Sequence, residues 1–124
     1  MSNRDRILDV ALRLFNERGT SAVSTNHIAA AAGVSPGNLY YHFRNKDAVI
    51  RSLFERLFER WGDTYQLRSP APSLADLDTL LSANYRLIWE YRFAYREMSV
   101  LLRNDRLLAS RYRELRYPLK QPHP

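Results

Sequence analysis

The stretch Ser24–Phe43, STNHIAAAAGVSPGNLYYHF, decides how the chain is read. Its first half runs into four alanines, Ala29 to Ala32. Alanine is the strongest helix former and the smallest side chain that keeps a helix rigid, so this run predicts a helix that a neighbour can approach closely. Ser24 is a good N-cap, Val23 can staple onto Ile28, and Gly33 ends the helix. Val34 can bury, Ser35 can cap a new helix, and Pro36 takes its first position, where a missing N–H costs nothing. Three residues, Gly33 to Ser35, thus separate two short helices, the length and chemistry of a helix-turn-helix corner. In the second helix Leu39 and Phe43 lie four apart and can face a core, while Asn38, Tyr41 and His42 point elsewhere. Gly37 removes a side chain where something large has to come close.

Outward from this corner the pattern stays helical. Ile7, Leu8, Ala11, Leu12 and Phe15 recur at helical spacing between Arg4 and Arg18, and Gly19 stops that helix. Asn45 caps a linker helix over 46–61, whose stripe is Val49, Ile50, Leu53, Phe54, Leu57, Phe58 and Trp61. The stretch from Arg68 to Ser73, with Pro70 and Pro72, reads as a loop. Ser73 with Asp76 opens a fifth helix carrying Leu74, Leu77, Leu80, Leu81, Tyr85, Ile88 and Trp89. Two more helical segments are expected around Phe93–Arg103 and Asp105–Tyr117. No strand-like alternation and no internal repeat is found. The fold class is all-α: a helix-turn-helix (homeodomain-like) domain over 1–46, a helical regulatory region over 47–117, and a tail outside the fold over 118–124.

Composition narrows the function classes. With 124 residues, 45% of them hydrophobic and 26% charged, the chain reads as one soluble globular domain. No apolar run approaches the roughly 20 residues of a membrane span, and the start has no leader-like stretch, so the expected address is cytoplasmic. Cysteine is absent, and His27, His42 and His123 lack metal-ligand spacing with each other or with carboxylates. No metal and no cofactor is expected. No nucleophile with a base, Gly-rich phosphate loop or carboxylate pair is found, so no enzyme is expected.

The formal charge of +6 favours polyanionic partners. Its division between the halves is even, nine basic residues against six acids in 1–60 and ten against seven in 61–124. Local placement says more. Between Glu17 and Asp47 there is no Asp or Glu, while Arg18, Arg44 and Lys46 are present, and a surface that approaches phosphates must lose its carboxylates. Three helices with a tight turn before the third form a scaffold that places that third helix in the major groove of DNA. Pro36, Gly37 and Asn38 would then face base edges, Asn38 pairing with adenine and Pro36 touching a thymine methyl. Tyr41, His42 and Lys46 suit phosphate oxygens, and Thr25 and Asn26 add donors at the start of the preceding helix. Tyr40 is either half-buried in the small core or a phosphate contact. A rival reading is a truncated helical interaction protein that binds other protein chains.

The pattern Ser24, Ile28-Ala29, Ala32-Gly33-Val34-Ser35, Gly37, Leu39-Tyr40-Tyr41-His42-Phe43 and Asn45-Lys46 strongly resembles the TetR family of bacterial transcriptional regulators. The resemblance covers residues 4 to about 60. It implies an all-helical regulator with a DNA-binding domain followed by a ligand-sensing, dimerising region, usually a repressor released by a small-molecule effector. Carried over position by position, it implies that Thr25, Tyr40, Tyr41, His42 and Lys46 hold the DNA backbone, while Asn26, Pro36, Gly37 and Asn38 meet bases. Asn26 stands where the family often has a basic residue. Double-stranded DNA with a palindromic operator, an effector and a second copy in a homodimer are the implied partners. Family members continue through two more long helices that form the dimer interface, so the helical region is expected to be truncated. Tyr85, Trp89 and Phe93, with Tyr95 and Met98, are the candidate ligand-cavity residues, or simply core aromatics.

Overall fold

The computed structural model describes residues 1–64 and 73–116. Seven α-helices make up these residues: α1 (Asn3–Arg18), α2 (Thr25–Ala32), α3 (Pro36–His42), α4 (Lys46–Thr64), α5 (Leu74–Glu90), α6 (Arg92–Asn104) and α7 (Arg106–Arg116), with one 3₁₀ turn, Thr20–Ala22, between α1 and α2. No strand occurs among the described residues, in keeping with the all-α expectation. Nor is any helix among them long and apolar enough to cross a membrane. Pro70 and Pro72 of the expected loop, and the tail 118–124, lie outside the described residues.

Local chemistry sets the helix ends. Ser2 caps α1 by accepting from the Asp5 N–H. Gly19 ends α1 with φ 83° and Gly33 ends α2 with φ 70°, left-handed values that a side chain disfavours. Ser24 Oγ accepts from the His27 N–H at 3.1 Å, and His27 Nδ1 accepts from the Ser24 N–H at the same distance. Ser35 caps α3 through the Asn38 N–H at 3.0 Å, with Pro36 next to it as expected. At α5, the Ser73 N–H donates to Asp76 at 2.9 Å and holds that carboxyl below the usual carboxylate range. A lowered value means that this cap contributes above the ordinary aspartate range and is lost as pH falls through the lowered one.

The buried residues form one continuous cluster across residue 46. From α1 come Ile7, Leu8, Ala11, Leu14 and Phe15, while Leu12 is only partly buried. Ile28, Ala29 and Ala32 of α2 and Leu39 of α3 pack with them, as do Phe43, Val49, Ile50, Leu53 and Phe54. The same cluster runs on through Leu57 and Phe58 to Leu87, Tyr91, Phe93, Ala94 and Leu108. Phe93 is the joint, its ring 5.3 Å from Phe15 and 6.0 Å from Phe54.

Polar groups fasten α1 to the helices beyond it. The buried Asn16 donates to the Glu90 carbonyl at 2.8 Å and accepts from the Phe93 N–H at 2.9 Å, closing the α5–α6 corner. Arg96 of α6 donates to the Phe15 and Asn16 carbonyls at the end of α1. Glu97 accepts from the Thr20 N–H and hydroxyl at 3.1 and 2.6 Å. Asn16→Ala strands two backbone groups, so the unfolding free energy is expected to fall by about 2 to 4 kcal/mol in urea titration. Glu17→Ala, one exposed position on, is expected to stay within about 0.5 kcal/mol.

Candidate nucleic-acid interface

Helix α3 has seven residues and makes one sharp division of its side chains. Leu39 is 2% exposed and points into the core, whereas Tyr41 is 82% exposed. Tyr40, left between core and surface by the sequence, is exposed. Pro36 and Gly37 are exposed at the start of the helix. A Cβ built on Gly37 would find nothing closer than Ser35 Oγ at 3.9 Å, so the free chain has room for a side chain there. The fold does not require this glycine.

Polar chemistry at the two ends of α3 differs. Asn38 is half-buried, and its Oδ1 accepts from Asn3 Nδ2 at 3.3 Å. Pairing with adenine uses both ends of an amide, and this contact leaves the NH2 donors and the second lone pair of Oδ1 open. At the far end, the half-buried His42 ring meets Tyr41 edge-on at 5.0 Å. Beside α3, the first turn of α2 presents Asn26 exposed and Thr25 half-buried. Arg18 and Arg44 are exposed and have no carboxylate in ion-pairing distance among the described residues.

Two expectations change. Lys46 was read as a phosphate contact, but its ammonium is turned inward, donating to the Thr20 carbonyl at 2.7 Å and the Val23 carbonyl at 3.1 Å. It ties α4 to the 3₁₀ turn by taking two carbonyls that folding brings within reach of one cation. Tyr85, Trp89 and Phe93 are not brought to one cavity. Phe93 is fully buried between Phe15 and Phe54, while Tyr85 and Trp89 stand exposed on α5, with the Arg92 guanidinium 4.2 Å from the Trp89 ring. Tyr95 instead accepts from Trp61 Nε1 at 2.7 Å.

His27 carries no cap signal in the sequence, because its place in the cap is usually filled by Glu or Gln. A ring nitrogen at the same position does the same work here. Asn3 and Arg4 gave no signal, since only folding brings the start of α1 beside α3 and Phe43.

Residues 7–53 match the profile described as "Bacterial regulatory proteins, tetR family", and residues 53–121 the profile described as "Bacterial transcriptional repressor". The chain belongs to the TetR family. Among curated TetR relatives, the HTH-type transcriptional regulator AcrR of Shigella flexneri is 40% identical over 81 residues, 63% of this chain and 38% of that protein. The HTH-type transcriptional repressor KstR2 of Rhodococcus jostii is 36% identical over 89 residues, 68% of this chain and 43% of that protein. Of solved structures, a TetR-family transcriptional regulator from Marinobacter aquaeolei VT8 superposes with a TM-score of 0.88 at 39% identity, covering 95% of this chain and 59% of that one. The ketosteroid transcriptional regulator KstR2 of Mycobacterium tuberculosis gives a TM-score of 0.69 at 29% identity over 93% of this chain and 63% of that one. The chain thus spans well under half the length of these two curated relatives.

The Tyr41 hydroxyl has no hydrogen-bond partner among the described residues, whereas Lys46 has two. Tyr41→Phe is therefore expected to leave the urea midpoint unchanged. Lys46→Met is expected to cost about 1 to 3 kcal/mol of stability. Equal effects of the two on stability would contradict this division of roles.

Proposed function

We propose that this chain carries the DNA-reading part of a transcriptional regulator, a repressor that a small-molecule effector releases from its operator. The observation that carries the reading is the orientation of α3, with Leu39 inward and Gly37, Tyr40 and Tyr41 outward on a surface without carboxylates from 18 to 46. In this reading Thr25, Tyr40, Tyr41 and His42 hold phosphates, while Asn26, Pro36, Gly37 and Asn38 meet base edges in the major groove. Lys46 acts from behind, holding the 3₁₀ turn that leads into α2. The protein works in the cytoplasm without catalysis, as a homodimer on a palindromic site.

Release follows from the polar fastening. An effector that moves α6 pulls on Arg96, Glu97 and the Asn16 bridge, and so on the end of α1 and the 3₁₀ turn in front of α2. One of the similar solved structures is a ketosteroid transcriptional regulator, KstR2 of Mycobacterium tuberculosis, and nothing in the helical region of this chain assigns it such a ligand.

Selection of bound duplexes from a random pool tests the reading. One half-site motif is expected to be enriched, with affinity falling log-linearly as salt rises. Asn38→Ala is expected to relax choice at particular bases by about 1 to 3 kcal/mol, and Tyr41→Phe to weaken all duplexes alike. Gly37→Ala is expected to leave stability intact and to weaken duplex binding, because its Cβ has room in the free chain only. No enriched motif together with salt-independent binding would overturn the assignment.

A further inference from the structure

A second cluster lies where α1, α4 and α7 meet, beside the end of α3. A hollow of about 340 Å³ opens there, a size within the range of small-molecule sites. Its apolar lining is Phe43, Ala48, Leu107 and Leu108, and its polar lining includes Arg4, Arg51, Arg111, Glu55 and His42 of α3.

The charges in this hollow are unequally answered. Arg51 pairs with Asp105 at 2.7 Å, and Arg111 pairs with Glu55 at 2.8 Å and with Glu114 at 3.2 Å. Arg4 has no carboxylate in reach among the described residues. Its guanidinium lies over the Phe43 ring, 5.1 Å from the centroid, and gives one long hydrogen bond to Ser52 Oγ at 3.4 Å. A guanidinium carries five N–H donors in a fixed fork that matches a carboxylate, so most of its capacity is unused. The stacked ring and the serine hold that fork over an apolar floor before any ligand arrives.

We infer that this hollow binds a small organic carboxylate with a compact apolar body. The carboxylate takes the free donors of Arg4, and the body rests against Phe43, Ala48 and the leucines of α7. A bare anion lacks the body, and an alcohol lacks the charge. The hollow borders α3 through His42 and Phe43, and the inference rests on Arg4 and the apolar floor, not on the reading of α3.

The test is calorimetric titration of the chain with 2-naphthoate, 2-naphthylmethanol, acetate and inorganic phosphate, with amide chemical-shift mapping of the naphthoate complex. Naphthoate is expected to bind at least about tenfold more tightly than the other three, with shifts centred on Phe43, Ala48, Ser52 and Leu108. Arg4→Gln is expected to weaken it by about tenfold or more, and Arg13→Gln, an equal loss of charge at another exposed arginine, to leave it unchanged. Leu107→Asp, exposed at the mouth, places a like charge beside the ligand and is also expected to weaken it. Thermal unfolding of each variant separates lost binding from lost fold. Equal binding by the Arg4 and Arg13 variants, phosphate binding as tightly as naphthoate, or shifts centred on the exposed leucines of α5 would each overturn the inference.

Discussion

Helix α3 has too few residues to be stable alone, since an isolated helix in water needs on the order of 12 or more. What holds it is the burial of Leu39 and Phe43 against α1, the alanine face of α2 and the start of α4. That burial fixes the rotation of α3 about its axis, because a turn of the helix that exposed Leu39 would surrender the core contact. With Leu39 inward, Tyr40, Tyr41, Gly37 and Pro36 have only solvent or a partner to face. The small side chains of α2 allow the close approach that makes this possible. The featureless alanines and the chemically loaded residues after them are two parts of one device.

The device is not free-standing. Its core runs through Phe54 into Phe93, and Asn16, Arg96 and Glu97 turn packing into a directional joint between α1 and α6. Apolar contacts tolerate sliding, but an amide that satisfies two backbone groups on another corner does not. These contacts tie α6 to the end of α1 and to the turn before α2. The hollow under Arg4 lies between α1, α4 and α7, beside the end of α3.

The corner was legible in the sequence because its determinants are local. Ser24, Gly33, Ser35 and Pro36 each act within a turn or two of their own position, and the structure uses each as read. The apolar stripe of α4 was legible for the same reason, through its period. Lys46 was not, because the carbonyls of Thr20 and Val23 that take its ammonium are brought to it only by folding. Tyr40 could be assigned to neither side from spacing alone, since its neighbour Leu39 competes for the same small core. Phe93, Tyr85 and Trp89 looked alike as aromatics on helices. Which of them meets another helix depends on how α5 lies on α4 and α6, and no local rule states that. The family resemblance reached as far as the reading and sensing roles, and it gave no signal for Arg4 over Phe43.

The central claim is that the outward side of α3 is the surface that meets DNA. Amide chemical-shift mapping during titration with a selected duplex tests it most directly. The account predicts that the largest changes fall on Thr25, Asn26 and Gly37 to His42, with the amides of Leu80, Ala83 and Leu87 on the inner side of α5 still. Changes centred on α5 or α7, with Gly37 to His42 unmoved, would contradict it.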